Sequence, residues 1–180
     1  PFAHILGQET AIATLSVALR SGRAHHAYRF EGPDGVGKEL AAFALAQALV
    51  CTGGDPLGCG ACSACTRAVT FADASPRSSL HPDVTIVEKG FYPPEIIGRS
   101  RPELTELSVD QIRTIVLSHA AYSPHEGRAR VYIVRRAEEL SIGAANALLK
   151  TLEEPRQGTH FILLSARSDR LLNTIRSRTL

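Results

Sequence analysis

Between Gln8 and Arg20 the apolar residues Ile12, Leu15, Val17 and Leu19 fall near helical spacing, and Ser21-Gly22 closes the stretch, so a first helix is expected there. Ala27-Tyr28-Arg29-Phe30 reads as a short strand running into the glycine-rich stretch Gly32 to Lys38, and the alanine- and leucine-rich Glu39 to Val50 reads as a buried helix. Residues 51–66 hold every cysteine, and residues 67–80 are small and polar with little periodicity, so this part is expected to be an insertion. Val84 to Val87 is a second strand. Gly90 to Pro102, with three prolines and two glycines, is expected to be loop. Ser108 is placed to cap a helix from Val109 to about His119, with Asp110 and Gln111 in its first turn. Val131 to Val134 and Phe161 to Leu164 are unalternating apolar runs, as in strands covered on both faces. Between them Ser141 caps a helix ending at Glu154-Pro155, with Ile142, Ala145, Leu148, Leu149 and Leu152 expected on its buried face. A helical turn and Ser177-Arg178 close the chain. Strands alternating with helices predict an α/β fold with a mostly parallel sheet.

The 180 residues suit one domain with a small appendage. Hydrophobic residues at 44%, charged residues at 21% and a net charge of +2 exclude both a disordered tail and histone-like polyanion binding. The longest apolar stretch, Leu40 to Val50, is interrupted by Gln47 and falls well short of the ~20 residues of a spanning helix. No charged leader precedes an apolar segment, so a cytoplasmic location without membrane contact is expected. The chain lacks methionine, and Pro1 is therefore expected to mark a fragment. Seventeen of the twenty basic residues are arginines, which suit phosphate and carboxylate clamps, although a GC-rich genome would give the same bias.

Gly32-x4-Gly37-Lys38, after a strand and before a helix, fits the phosphate-loop pattern, with Gly32, Gly35, Gly37 and Lys38 as the nucleotide-binding candidates. The next position is Glu39 where the pattern has a hydroxyl for Mg²⁺. A carboxylate there, about 4 Å from a phosphate charge at an effective dielectric of 20, costs on the order of 4 kcal/mol. The apolar run Val131 to Val134 should be followed by an acidic pair that holds the metal and polarises water; Arg135 and Arg136 stand there instead. Glu138 and Glu139 lie farther along and read as helix-terminal charges. Both departures point to a degenerate site in which ATP binding is doubtful, Mg²⁺ is not expected and hydrolysis in cis is absent.

Cys51, Cys59, Cys62 and Cys65 lie within fifteen residues, among Gly53, Gly54, Gly58 and Gly60. Four ligands at this spacing suit tetrahedral Zn²⁺; two disulfides are the alternative, which a reducing compartment and two-residue gaps disfavour. A filled ligand set makes such a zinc structural. A nucleic-acid-binding knuckle is a further reading, with Arg67 the one basic residue beside it, but no aromatic side chain between Cys51 and Cys65 offers stacking.

Taken together, these residues resemble the AAA+ subunits of bacterial DNA polymerase III clamp loaders, those of the delta-prime kind most closely. The resemblance rests on Ile5 to Gln8, His25 to Tyr28, the four-cysteine insertion, Val109 to Arg113, Ala144 to Pro155 and Thr174 to Arg178. It implies an AAA+ domain over residues 1–180 with a zinc module inserted at 51–66, and helical lid and collar domains that do not fit in this length. It also implies a component of the DNA polymerase III holoenzyme that braces a hetero-oligomeric ring of gamma/tau and delta subunits. Sliding clamp and primed DNA would be reached through the assembly, and ring assembly by this part alone is expected to be weak. Ser177 and Arg178 match a Ser-Arg-Cys motif whose arginine acts in trans on a neighbour's ATP, although the third position is Thr179. Ser165 falls at the family's sensor position and reads as strand-end packing. An ATP-hydrolysing gamma/tau-type subunit is the alternative.

Overall fold

A computed structural model describes residues 1–101, 105–126 and 128–180. Four strands, β1 (Ala27–Glu31), β2 (Val84–Val87), β3 (Arg130–Val134) and β4 (Thr159–Ser165), form one sheet in the order β1-β4-β3-β2 with every pairing parallel. The register sets Ala27 beside Phe161, Arg130 beside Thr159 and Val84 beside Val131. Leu180 continues the sheet along the outer side of β1: its N–H donates to Ala27 O at 3.0 Å, and its carbonyl accepts from Arg29 N at 2.6 Å.

The unalternating apolar strands are explained by helices on both faces. Successive side chains of a strand point to opposite sides. Tyr28, Ile86, Val131, Ile133, Ile162 and Leu164 pack on one side with α1 (Glu9–Arg20), α2 (Lys38–Val50) and α3 (Ser63–Ala68). Val87, Tyr132, Val134, Phe161 and Leu163 pack on the other with α4 (Val109–Gln111), α5 (Ser118–Ala120), α6 (Ile142–Glu153) and α7 (Asn173–Arg176). Every residue of α2 from Ala42 to Val50 is buried. Gln47, the polar break in that helix, donates from Nε2 to Cys65 O at 3.0 Å and so joins α2 to the cysteine insertion. No helix among the described residues is long and apolar enough to cross a membrane.

Three details depart from the sequence expectation. α3 was not anticipated, being six residues long and starting among the cysteines without an apolar repeat of its own. Ser108 caps α4, its Oγ accepting from Gln111 N at 3.4 Å, but the helical run then widens into π-type turns over Ile112–Leu117 before α5. Ile142 is 70% exposed, and the buried face of α6 is Ala144, Ala145, Leu148 and Leu152. The loop expected up to Pro102 is loop from Gly90 onward, and Pro102 itself lies outside the described residues.

A buried ion pair ties the base of the sheet to the loop before β3. Asp83, fully buried, accepts from His125 N at 2.6 Å, Glu126 N at 2.8 Å and Arg130 Nη2 at 3.3 Å; Arg130 also donates to Ser123 O at 3.1 Å. Removing one partner strands a charge inside, which costs about 3–5 kcal/mol. Asp83→Ala is therefore expected to lower the thermal midpoint by about 10 °C. A calorimetric midpoint within two degrees of wild type would contradict the assignment.

Candidate functional site

The phosphate-loop segment connects β1 to α2 at the carboxyl ends of the strands. Gly32 (φ 144°), Gly35 (φ 84°) and Gly37 (φ 91°) occupy backbone regions that favour glycine. Gly32 N donates to Ser165 O at 3.2 Å, fastening the loop to the end of β4. Ser165 is buried, and its Oγ accepts from Arg167 N at 3.1 Å, consistent with a packing role. Lys38 folds back on its own loop: Nζ donates to Gly32 O at 2.6 Å and Pro33 O at 2.7 Å and lies 3.9 Å from the Asp34 carboxylate.

The loop borders a cavity of about 420 Å³, whose far wall carries Glu88, Arg135, Arg136 and Glu138. Here the two departures seen separately in the sequence meet. The Arg135 guanidinium pairs with the Glu39 carboxylate on one side and with Glu88 at 3.1 Å on the other. A cation just beyond β3 thus faces the carboxylate on α2, and the two charges offset each other. The repulsion reckoned for a free Glu39 is accordingly an overestimate, because Arg135 offsets that charge. Glu39 is about half exposed, so the pair itself is worth at most about 1 kcal/mol in stability.

Glu138 stands in a first helical turn, as its distance along the chain suggests, and it also lines this cavity. Arg136 adopts φ 49°, a left-handed conformation rare outside glycine, which turns the chain sharply into the single 3₁₀ turn Ala137–Glu139. Glu138 Oε1 then accepts from Ala166 N at 3.2 Å, while Oε2 is buried with no hydrogen-bond partner among the described residues. Glu139 faces away and pairs with Lys89 at 3.0 Å and Arg136 at 3.3 Å. Asp34, Glu39, Glu88 and Glu138 give the cavity four carboxylates against the three cations Lys38, Arg135 and Arg136.

The second site is the cysteine insertion. The Sγ atoms of Cys51, Cys59, Cys62 and Cys65 all lie within 4.8 Å of one another, with Cys51 and Cys62 at 4.0 Å. Tetrahedral zinc with bonds of 2.3 Å requires sulfur separations of about 3.8 Å, so the four thiols converge on one point as a metal needs, and not as two bonded pairs. Backbone amides already serve the sulfurs: Gly53 N and Cys59 N donate to Cys51 Sγ at 3.3 Å each, and Cys62 N to Cys59 Sγ at 3.3 Å. The Cys65 amide, with Thr52, draws the Cys62 thiol down to about 5, a thiolate at neutral pH. Burial pushes Cys65 well up. The insertion is packed tightly: a β-carbon on Gly53 would lie 2.7 Å from Cys59 Sγ, and one on Gly58 3.0 Å from Ala48 N of α2. These residues could hold a metal ion with no open coordination position. Arg67, beside them, is engaged by Glu126 at 3.0 Å, so the knuckle offers no free cation there.

The third feature is the chain's end. Arg178 donates from Nε to Glu153 Oε1 at 2.8 Å and from Nη1 to Thr174 O at 2.8 Å and Ser177 Oγ at 3.1 Å, with about a third of its side chain exposed. Thr179, where the motif has cysteine, uses its hydroxyl structurally: it accepts from Arg29 Nη1 at 2.8 Å and donates to Ile175 O at 3.1 Å.

A parallel sheet covered by helices, a phosphate loop at the carboxyl end of its first strand and a catalytic-strand position beside it define an AAA+ P-loop-type domain. Solved structures share this fold. A DNA polymerase III gamma subunit-related protein of Thermotoga maritima superposes with a TM-score of 0.55 at 24% identity, over 92% of this chain and 44% of that one. The RuvB branch migration motor of Thermotoga maritima superposes with a TM-score of 0.55 at 15% identity, over 96% and 43%. The chain belongs to the family described as DNA polymerase III, delta subunit, which it matches over residues 7–180. Among curated relatives, DNA polymerase III subunit gamma/tau of Mycobacterium tuberculosis is 37% identical over 99% of this chain and 27% of its own length. Subunit tau of Escherichia coli is 36% identical over 99% and 24%, and subunit delta' of Bacillus subtilis 32% identical over 95% and 45%. The chain therefore spans about a quarter of the gamma/tau relatives and under half of the delta' relative.

Proposed function

We propose that this chain is the AAA+ domain of a delta-prime-type subunit of the bacterial DNA polymerase III clamp loader. In this reading it hydrolyses no ATP itself, braces a hetero-oligomeric ring with gamma/tau and delta subunits in the cytoplasm, and offers Arg178 to ATP held by a neighbour. Sliding clamp and primed DNA are engaged through that assembly. Residues 51–66 form an inserted module in which Cys51, Cys59, Cys62 and Cys65 hold structural zinc.

The observation that carries this reading is the Glu39–Arg135–Glu88 arrangement. The hydroxyl that ligates Mg²⁺ and the acid that polarises water are replaced by an ion pair spanning the two positions, so the chain holds neither group needed for hydrolysis in cis. Gly32, Gly35, Gly37 and Lys38 keep the form of the phosphate loop, but Lys38 is satisfied by the loop's own carbonyls.

The gamma/tau reading has its own support in the 37% and 36% identities to gamma/tau relatives and in the intact glycines and lysine of the loop. Titration with a fluorescent ATP analogue, with and without Mg²⁺, separates the two. The expected result is no micromolar Mg²⁺-dependent binding and no turnover. Turnover by the chain alone, abolished by Lys38→Ala, would establish the gamma/tau reading instead.

A further inference from the structure

At the opposite end of the sheet from the phosphate loop, a cleft of about 670 Å³ opens where the strands begin. Arg20 and Arg23 reach it from the end of α1, Arg128 from the segment before β3 and Arg156 from the segment before β4, and all four are exposed. Among the described residues no aspartate or glutamate lines it. The concentration is unusual for this chain: the other sixteen lysines and arginines are outnumbered by eighteen carboxylates.

The simplest structural explanation is that these arginines neutralise the negative ends of helices. Three helices, α1, α2 and α6, end near the cleft, and each contributes about half a negative charge. Together that is about −1.5 against four guanidinium groups, which leaves a surplus above +2. Structural duties also fall unevenly. Arg156 donates to Ala121 O at 2.9 Å and Ser123 Oγ at 3.0 Å, and Arg128 to Cys51 O at 3.4 Å. The guanidinium groups of Arg20 and Arg23 make no hydrogen bond or ion pair among the described residues. His25, His26 and His160 form part of the wall, their ring nitrogens turned to the carbonyls of Ala27, Leu152 and His25 at 2.8, 2.8 and 3.0 Å. The four arginines carry their charge on planar forks suited to phosphate oxygens.

We propose that this cleft is a binding site for the phosphate backbone of nucleic acid, separate from the nucleotide-type cavity and independent of whether that cavity hydrolyses ATP. It is open, and its arginines come from the end of α1, the turn after it and the segments before β3 and β4, so successive phosphates of one strand can be met from several sides. Among the described residues its wall has no Phe, Tyr or Trp for bases to stack on, so recognition is of charge and without sequence preference. The same chemistry would serve a small free polyphosphate, and the test separates the two.

Anisotropy of a fluorescein-labelled mixed-sequence 20-nucleotide single strand is followed against NaCl concentration in the full-length protein. Each phosphate contact contributes about 0.7 to the slope of log affinity against log salt. Arg20→Ala/Arg23→Ala is expected to reduce the slope by about 1.4 and to weaken binding about tenfold in 50 mM salt. Arg20→Lys/Arg23→Lys should restore most of both, and Arg67→Ala, at the already paired knuckle arginine, should change neither. Arg23→Ala alone, beyond the helix, should remove about half of the slope change and guards against a folding defect in the double variant. An unchanged slope in both alanine variants overturns the proposal, as does absence of binding at low salt. Displacement of the strand by tripolyphosphate at equal phosphate concentration would also overturn it, assigning the cleft to a small anion.

Discussion

Removing metal from the four-cysteine site is expected to release one zinc ion per chain and to collapse residues 51–66, with the damage passing into α2. Structural zinc in small modules contributes about 10–16 kcal/mol of binding free energy, comparable to the whole stability of a domain. The insertion has little apolar content of its own: it is held by the convergent thiols, the Gln47–Cys65 hydrogen bond and the close approach of Gly58 to Ala48. Cys51 and Cys65 are fully buried, so replacing either disturbs the core as well as the site. Cys59 is exposed and gives the cleaner test. Cys59→Ser should abolish stoichiometric zinc measured by atomic emission and lower the thermal midpoint by at least 10 °C, and EDTA should do the same to wild type. A metal-free wild-type chain melting at the same temperature as the purified one would show that the thiols are packing residues only.

How much of this was legible in the sequence follows from how local each interaction is. The strands were visible because burial on both faces produces unbroken apolar runs at Val131 to Val134 and Phe161 to Leu164. The helix caps Ser108 and Ser141 were visible because a cap bonds an amide three residues on. Ligand spacing at the cysteines is equally local. By contrast, the pairing of Glu39 with Arg135 spans ninety-six residues and is visible only when β3 is laid beside the phosphate loop. The place of Glu138 in the cavity wall was hidden for a different reason: it depends on the left-handed turn at Arg136, a conformation that arginine does not advertise. The arginine cleft gathers residues from three loops, and its only sequence signal was the excess of arginine over lysine, which by itself does not say where the charge collects.

Arg178→Ala in the reconstituted clamp loader is expected to lower DNA-stimulated ATP turnover by about 10³–10⁵ at the site it serves, equivalent to about 4–7 kcal/mol of transition-state stabilisation. The guanidinium is preorganised at the end of α7 by Thr174 O and Ser177 Oγ, while Glu153 of α6 holds its Nε side. That carboxylate is about half exposed, so its hold is worth at most about 1 kcal/mol, and a γ-phosphate with greater charge would be expected to displace it. Two consequences separate catalysis from mere bracing of the interface. Arg178→Lys should recover little turnover, because an ammonium cannot reproduce the planar fork, although it keeps the charge. The loss should fall on kcat with a small change in KM, since the charge acted upon develops in the transition state. Zinc content and subunit stoichiometry should stay at wild-type values in both variants. Turnover unchanged in Arg178→Ala would retire the trans-acting role and leave this arginine as the tie between α7 and the end of α6.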